Sequence, residues 1–127
     1  MISIDDFSKV EMRIGKILSV ERVPDTDKLL RLQVDFGPRP QKDDTQEAAS
    51  VDTDARDLRQ VVSGIAEYFE EPQVLVGVSC PFVTNLAPRT IRGLESQAMI
   101  VAVHSADGAF SVLEPTGASI APGTKLN

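Results

Sequence analysis

Residues that could carry out catalysis are few in this chain of 127 residues. It has one histidine, His104, and one cysteine, Cys80, and neither is accompanied by the second reactive group that nucleophilic or acid–base catalysis needs. Ser63 has no nearby base, and Asp25 and Asp27 fit a turn better than a cation site, which needs more ligands. The chain also lacks a phosphate-binding glycine loop. The sequence therefore predicts no catalytic residue, no metal and no cofactor.

Residues suited to binding are better represented, in two segments with loop character. Lys28 follows the turn-forming residues 24–27, and Arg89 and Arg92 lie within residues 85–93. Arginines in a loop can pair with phosphate or stack on bases, although they can also simply keep a loop solvated. Aromatic residues are only 5% of the chain, so extensive base stacking is not expected. A phosphate-bearing ligand is the hypothesis that these residues raise.

The net charge of −6 argues at first against nucleic acid, because phosphate binding needs a basic surface. The acidic residues are concentrated, however, since residues 42–57 hold six acidic and two basic residues, a net charge of −4. The rest of the chain has 11 basic and 13 acidic residues and is nearly neutral. A nearly neutral domain can present one basic face, and the acidic segment is expected to repel nucleic acid through its field.

Strands must position these loops, because the hydrophobic pattern has a period of two. Apolar and polar residues alternate over residues 29–36, which predicts a strand with one buried face. Residues 11–21 alternate in the same way and predict a second strand, with a bulge or bend at Gly15-Lys16. The Pro-Asp-Thr-Asp run at residues 24–27 predicts the turn that joins the two strands into a hairpin.

The later part of the chain completes a recognisable order of elements. Residues 38–57 have no apolar period and predict an acidic loop. A strand, a short helix and two more strands are then predicted, at residues 58–63, 64–74, 76–83 and 97–103. Five strands with a short helix between the third and fourth match the OB-fold, a five-stranded Greek-key barrel. We therefore predict an all-β domain over residues 1–103.

A C-terminal extension, residues 104–127, follows this domain. It is too apolar for a disordered end, so we expect it to pack on the barrel or on a second copy, and a homodimer is predicted. Cys80, between Val78 and Phe82, is expected to be buried. No apolar stretch approaches the ~20 residues that cross a bilayer. A soluble, cytoplasmic protein with no membrane partner is therefore expected.

Four segments of the chain are similar to one known family. They read DFSKVEMRIGKI at residues 6–17, PDTDKLL at 24–30, RQVVSGI at 59–65, and NL at 85–86 followed by RGLESQAM at 92–99. In this order they resemble the tRNA-binding domain family, which includes the carboxy-terminal domain of bacterial methionyl-tRNA synthetase and free-standing tRNA-binding proteins. The resemblance covers residues 4–103 apart from the acidic loop, and the extension resembles the dimer-forming extension of the free-standing members.

The resemblance implies an OB-fold that binds the outer corner of tRNA by shape, as a homodimer, in trans or together with an aminoacyl-tRNA synthetase. The family's binding positions transfer to six residues, Lys28, Asn85, Arg89, Arg92, Ser96 and Met99. Ser96 is expected to donate to phosphate or ribose, and Met99 to line a shallow face unless it is a core residue. Ala98 and Ala87 stand where the family usually has glycine and lysine, which predicts reduced affinity.

A related secretion chaperone family is the alternative, because it uses the same barrel as a dimer to hold unfolded polypeptide in an apolar pocket. Its members generally lack the Asp-Lys-Leu-Leu and Val-Ser-Gly-Ile segments found here at residues 27–30 and 62–65, so tRNA binding is favoured. The sequence leaves open which tRNA or synthetase is the partner, whether the chain acts alone or as part of a synthetase, and what the acidic loop does.

Overall fold

The computed structural model of the chain describes residues 1–38, 56–117 and 119–126. A four-residue helix, α1 (Ile4–Phe7), precedes the strands. The strands are β1 (Met12–Arg22), β2 (Leu30–Pro38), β3 (Arg56–Ser63), β4 (Ser79–Val83), β5 (Arg89–Ile91), β6 (Leu94–Ser96), β7 (Met99–Ile100), β8 (Ala102–His104) and β9 (Phe110–Val112). Two 3₁₀ turns, Ala66–Tyr68 and Pro72–Leu75, lie between β3 and β4.

Five of these strands form one curled antiparallel sheet in the order β3-β2-β1-β4-β7. The edge of β3 closes onto Ser96, the last residue of β6, and Gln97, which follows it. The Val62 amide donates to Ser96 Oγ at 3.0 Å, and the Gln97 amide donates to the Gln60 carbonyl at 2.8 Å. The predicted all-β class and OB-type barrel are confirmed, with closure by a few hydrogen bonds rather than by a continuous strand ladder.

The core lies inside the curled sheet. The alternate residues of β2 (Leu30, Leu32, Val34 and Phe36) are fully buried, which confirms the strand predicted over residues 29–36. Cys80 of β4 is fully buried too, and burial, with a smaller contribution from the charge of Glu114, raises the pKa of its thiol to about 12. The thiol is therefore protonated at neutral pH, as a structural cysteine should be.

The short helix predicted over residues 64–74, with an interruption at Pro72, takes the form of two separate 3₁₀ turns rather than an α-helix. Pro72 begins the second turn, and proline lacks the backbone N–H that would carry a helix through that position. The strand predicted from residue 76 begins instead at Ser79. Gly77, with a φ of 89°, departs from the extended conformation just before it.

Two other predictions about strands also need correction. The strand expected over residues 97–103 is divided, since β7 pairs with β4 whereas β8 pairs with β9 in a separate sheet. The irregularity of β1 lies between Ile17 and Ser19, not at Gly15-Lys16. Gly15 is instead a point of close packing, because a Cβ there would lie 2.5 Å from Val34 Cγ1 and 2.6 Å from Phe36 Cε1.

The extension packs against the barrel at two places. The Gly123 amide donates to the Ile14 carbonyl at 2.7 Å and the Ile14 amide donates to the Thr124 carbonyl at 2.8 Å, so the tail lies beside the start of β1. The Phe110 ring of β9 stacks on Tyr68 with centroids 4.3 Å apart. A homodimer stays a prediction.

Both ends of the predicted acidic loop, residues 38–57, lie in strands, because β2 extends to Pro38 and β3 begins at Arg56. The rest of that predicted loop, residues 39–55, lies outside the described residues.

Candidate nucleic-acid interface

A short hairpin of β5 and β6 carries the two arginines predicted to bind phosphate. Arg89 pairs with Ser96 and Ile91 with Leu94, which leaves Arg92 and Gly93 as a two-residue turn. Both turn residues have positive φ, 52° and 81°, the combination found in a type I′ turn. Glycine or asparagine is usual at such positions, and an arginine there stores backbone strain of about 1 kcal/mol. The tip of the hairpin thus holds a long cationic side chain at a position unfavourable for it.

Three grooves surround the hairpin. The seam groove follows the junction of β3 with the hairpin and β7, and its lining includes Val62, Arg89, Ile91, Ser96, Ala98 and Met99. The turn groove lies between the hairpin and the β1–β2 turn, with a lining that includes Asp25, Asp27, Lys28, Ile91 and Arg92. The arginine groove is lined by Glu21, Arg22, Arg31, Arg92 and Leu94 together with residues 23–24. Ile91 and Arg92 are each shared by two grooves, so the three form one continuous face, here called the hairpin face.

The charge of the hairpin face is opposite to that of the chain. Its grooves are lined by five basic residues (Arg22, Lys28, Arg31, Arg89 and Arg92) and three acidic ones (Glu21, Asp25 and Asp27). The face therefore has an excess of two positive charges, whereas the whole chain carries −6. Such a local excess is the electrostatic requirement for binding a polyanion.

Three of the six predicted binding residues present free cationic side chains on this face. Lys28, Arg89 and Arg92 are exposed. Within the part of the chain that the structure describes, no ion pair or hydrogen bond engages the charged group of any of the three. Their donors therefore point to water and are available to a ligand.

Ser96 and Met99 lie on the seam groove but differ in accessibility. Ser96 is buried, and its Oγ accepts from the Val62 amide and donates to the Ala98 carbonyl at 3.1 Å. Its hydroxyl joins the hairpin to β3, so a direct contact with phosphate or ribose stays a prediction. Met99 is 47% exposed, which excludes the interpretation that it is simply a core residue.

Asn85 lies apart from the hairpin face. Its Oδ1 accepts from the Glu11 amide at 2.8 Å and its Nδ2 donates to the Lys9 carbonyl at 2.7 Å, so both ends of the side-chain amide bind the N-terminal segment. The next residues along the chain, Leu86 and Ala87, line the seam groove. Asn85 thereby fixes the start of the segment that forms one wall of the groove.

Arg22 and Arg31 line the arginine groove but are not among the six residues that the sequence predicted to bind. The sequence did indicate that Arg31 is accessible, because it occupies a polar position in the alternating pattern of β2. No local pattern indicated the position of the Arg22 side chain, because its guanidinium is placed by the carbonyls of Phe69 and Glu70, which are remote in sequence.

A second polar cluster, also missed, lies beside Phe36 in the barrel. Asp57 accepts from Arg13 Nη2 at 3.0 Å and from Arg59 Nε at 3.0 Å. Both guanidinium carbons lie over the Phe36 ring, 5.5 and 5.3 Å from its centroid. Burial acts to raise the pKa of Asp57, but the hydrogen bonds from Arg59 and Arg13 outweigh it and hold the pKa below its ordinary value. This ionised cluster is structural, because its groups bind one another.

The described residues contain no group of three or more His, Cys, Asp or Glu side chains that could hold a metal ion. In the same residues, no helix is both long and apolar enough to cross a membrane.

A family model and the sequence of a longer enzyme are both similar to this chain. A family model described as "Putative tRNA binding domain" matches residues 39–125. The chain is 42% identical over 119 residues to the methionine–tRNA ligase of Chloroherpeton thalassium, a match that covers 94% of this chain but 14% of that enzyme.

Two solved structures are also similar. A MetRS-related protein from Pyrococcus horikoshii superposes with a TM-score of 0.79 and 28% identity, over 99% of this chain and 97% of that one. The chaperone CsaA from Bacillus anthracis superposes with a TM-score of 0.74 and 23% identity, over 100% and 99% of the two chains. At that identity the second likeness shows the fold alone.

Proposed function

The chain belongs to the tRNA-binding domain family, and from that premise we propose that it binds tRNA without catalysing a reaction, through the hairpin face. The observation that carries this proposal is the basic excess of the face in a chain of net charge −6. Lys28, Arg89 and Arg92 supply cationic donors that have no partner among the described residues. Phosphate contacts of this kind supply much of the affinity of proteins for nucleic acid.

The arrangement of the face suits recognition of shape. Arg89 lines the seam groove, and Lys28 and Arg92 line the turn groove. The positive charges are therefore spread along two adjoining grooves and are not gathered at one point. Ile91 and Met99 add apolar surface against which a ribose or a base can lie. Contacts of this type follow the course of the RNA backbone and do not read the sequence of bases.

The same proposal extends to the partners of the protein. We infer that it acts in trans or beside an aminoacyl-tRNA synthetase, in the cytoplasm, where tRNA is used. Homodimer formation is supported by an open cavity between α1 and the C-terminal tail, lined by apolar side chains that include Ile4, Phe7 and Leu126. These three side chains are exposed, and burial against a second copy would remove them from water.

A mobility-shift titration with unfractionated tRNA and with duplex DNA of equal charge tests this function. We expect tighter binding of tRNA, because recognition of folded RNA uses shape and 2′-hydroxyls. Equal affinity for both would contradict recognition by shape. Preferential binding of a denatured polypeptide would instead support the chaperone alternative, for which Leu86 and Met99 in the seam groove offer exposed apolar surface.

The double variant Arg89→Ala/Arg92→Ala tests the placement of the interface. Each lost phosphate contact should lower the slope of log affinity against log salt by about 0.7–0.9, while thermal stability changes by less than about 0.5 kcal/mol. Lys16→Ala is the matched control, because Lys16 is exposed but lines none of the three grooves. A full salt slope in the double variant would place the interface elsewhere.

A further inference from the structure

We propose that the arginine groove is an additional phosphate-binding site for the RNA backbone, and that Glu21 competes with the phosphate for Arg31. The inference rests on the proposed function and extends it to residues that the family resemblance did not assign. The groove has a volume of about 380 Å³, more than ten times the ~30 Å³ that one water molecule occupies in the liquid. It adjoins the turn groove through Arg92, so one RNA strand can pass from one groove into the other.

Arg22 is held in place without being neutralised. Its Nη2 donates to the Phe69 carbonyl at 2.9 Å and to the Glu70 carbonyl at 3.3 Å, which fixes the guanidinium to the segment between the two 3₁₀ turns. Backbone carbonyls carry no net charge, so the side chain keeps its full positive charge. An arginine that is already ordered loses little conformational entropy when it binds an anion.

Arg31 is paired with Glu21, the acidic residue of the groove lining. The two residues lie opposite each other on β2 and β1, and Arg31 Nη2 donates to Glu21 Oε1. The side chains are 37% and 58% exposed, and ion pairs as exposed as this one contribute little to stability. A phosphate, which offers several acceptor oxygens, can therefore replace the carboxylate as the partner of Arg31.

Arg92 completes the set from the tip of the hairpin. Its backbone strain is explained if the turn must present a guanidinium between two grooves that both receive phosphate. Three guanidinium groups and one displaceable carboxylate then line the groove together with Val23, Pro24 and Leu94. The guanidinium groups suit a phosphodiester, and the apolar side chains offer surface to the adjoining ribose.

Fluorescence anisotropy with labelled tRNA between 50 and 200 mM salt tests the site in Arg31→Ala and Arg22→Ala variants. Loss of one phosphate contact should reduce the fall in affinity over this range by about threefold. Lys16→Ala should keep the wild-type fall. Arg22→Ala can also loosen the 3₁₀ turns, so Arg22→Lys and thermal melts accompany it, and Arg31→Ala tests the site without that risk.

Glu21→Gln tests the competition separately. It should tighten binding about threefold in the wild-type background and have little effect in the Arg31→Ala background. An equal gain in both backgrounds would show that Glu21 acts only through long-range repulsion and would overturn the competition.

The remaining outcomes separate this inference from the proposed function. If Arg89→Ala weakens binding while Arg22→Ala and Arg31→Ala behave as Lys16→Ala does, the arginine groove is not a phosphate site and the proposed function stands. If the wild-type protein binds no tRNA, both are wrong.

Discussion

Two pairs of arginines in this chain have opposite surroundings. The buried pair is Arg13, which is buried, and Arg59, which is partly buried; it shares the carboxylate of Asp57 and lies over the ring of Phe36. The hairpin pair, Arg89 and Arg92, is exposed and has no side-chain partner among the described residues. Both pairs have the same chemistry. Their partners decide their roles, because the N–H donors that bind groups of the protein are not available to a ligand.

The two pairs also differ in what they do for the fold. Arg59 Nη1 donates to the Thr84 carbonyl at 2.7 Å and to the Gln97 carbonyl at 3.2 Å, so it ties β3 to the end of β4 and to the residues that close the barrel. Arg92, by contrast, adopts a left-handed conformation that strains the backbone. The buried pair stabilises the barrel, whereas Arg92 of the hairpin pair lowers stability through its strained backbone.

The largest effect is expected from Asp57→Ala, which removes the counterion that two largely buried guanidinium groups share and leaves, among the described residues, only Glu11, 3.5 Å from Arg13 Nε. The side chains of Arg13 and Arg59 are only 11% and 21% exposed, so we expect a loss of about 3 kcal/mol in the free energy of unfolding. Urea denaturation measures it. In the folded fraction the salt slope of tRNA binding should be unchanged, and a loss below 0.5 kcal/mol would show that the cluster is not structural.

Gly15→Ala should have the next largest effect on the free energy of unfolding, because it would displace the Phe36 ring over which the buried pair lies. The added Cβ would meet Val34 and Phe36 at 2.5 and 2.6 Å, and overpacking of this kind costs about 2 kcal/mol. Gly64→Ala is the matched control, because a Cβ there meets no atom within 4 Å. Equal denaturation midpoints for the two variants would contradict the close packing around Phe36.

Acid should lower the free energy of unfolding by less than Asp57→Ala does, because protonation removes the charge of Asp57 but leaves the side chain in place. Its pKa is lowered in the folded protein, so its stabilisation is complete above the ordinary pKa and is lost as the pH falls through the folded value. We expect stability to fall below about pH 4, and less steeply in Asp57→Asn. If the stability of that variant and of the wild type fell equally at low pH, Asp57 would not be the group responsible.

Arg92→Gly should give the smallest effect on stability and the opposite sign. Glycine relieves the left-handed strain but is more flexible in the unfolded chain, so a net gain of about 0.5 kcal/mol is expected together with weaker binding of tRNA. Thermal melts and anisotropy titrations on the same sample measure both quantities. A destabilised variant, or one with unchanged affinity, would remove the contrast between the two pairs.

Local patterns in the sequence were sufficient to determine several features of the protein. The period-two alternation identified β2 and its buried face, because alternate side chains of a strand point to opposite sides. Motif order identified the family and the fold. Arg89 and Arg92, singled out in the segment at residues 85–93, line the grooves of the hairpin face, and their role in binding stays a prediction.

Only the tertiary structure decided which polar residues are available to a ligand. Asn85 and Ser96 belong to the same motifs as Arg92, yet their side chains bind Lys9, Glu11 and Val62, residues that no local pattern connects to them. The division of residues 97–103 between two sheets and the pairing of Arg13 with Asp57 have the same origin. Each depends on contacts between residues distant in sequence, and the physical reason is that hydrogen-bond partners are chosen by the packed barrel rather than by neighbours along the chain.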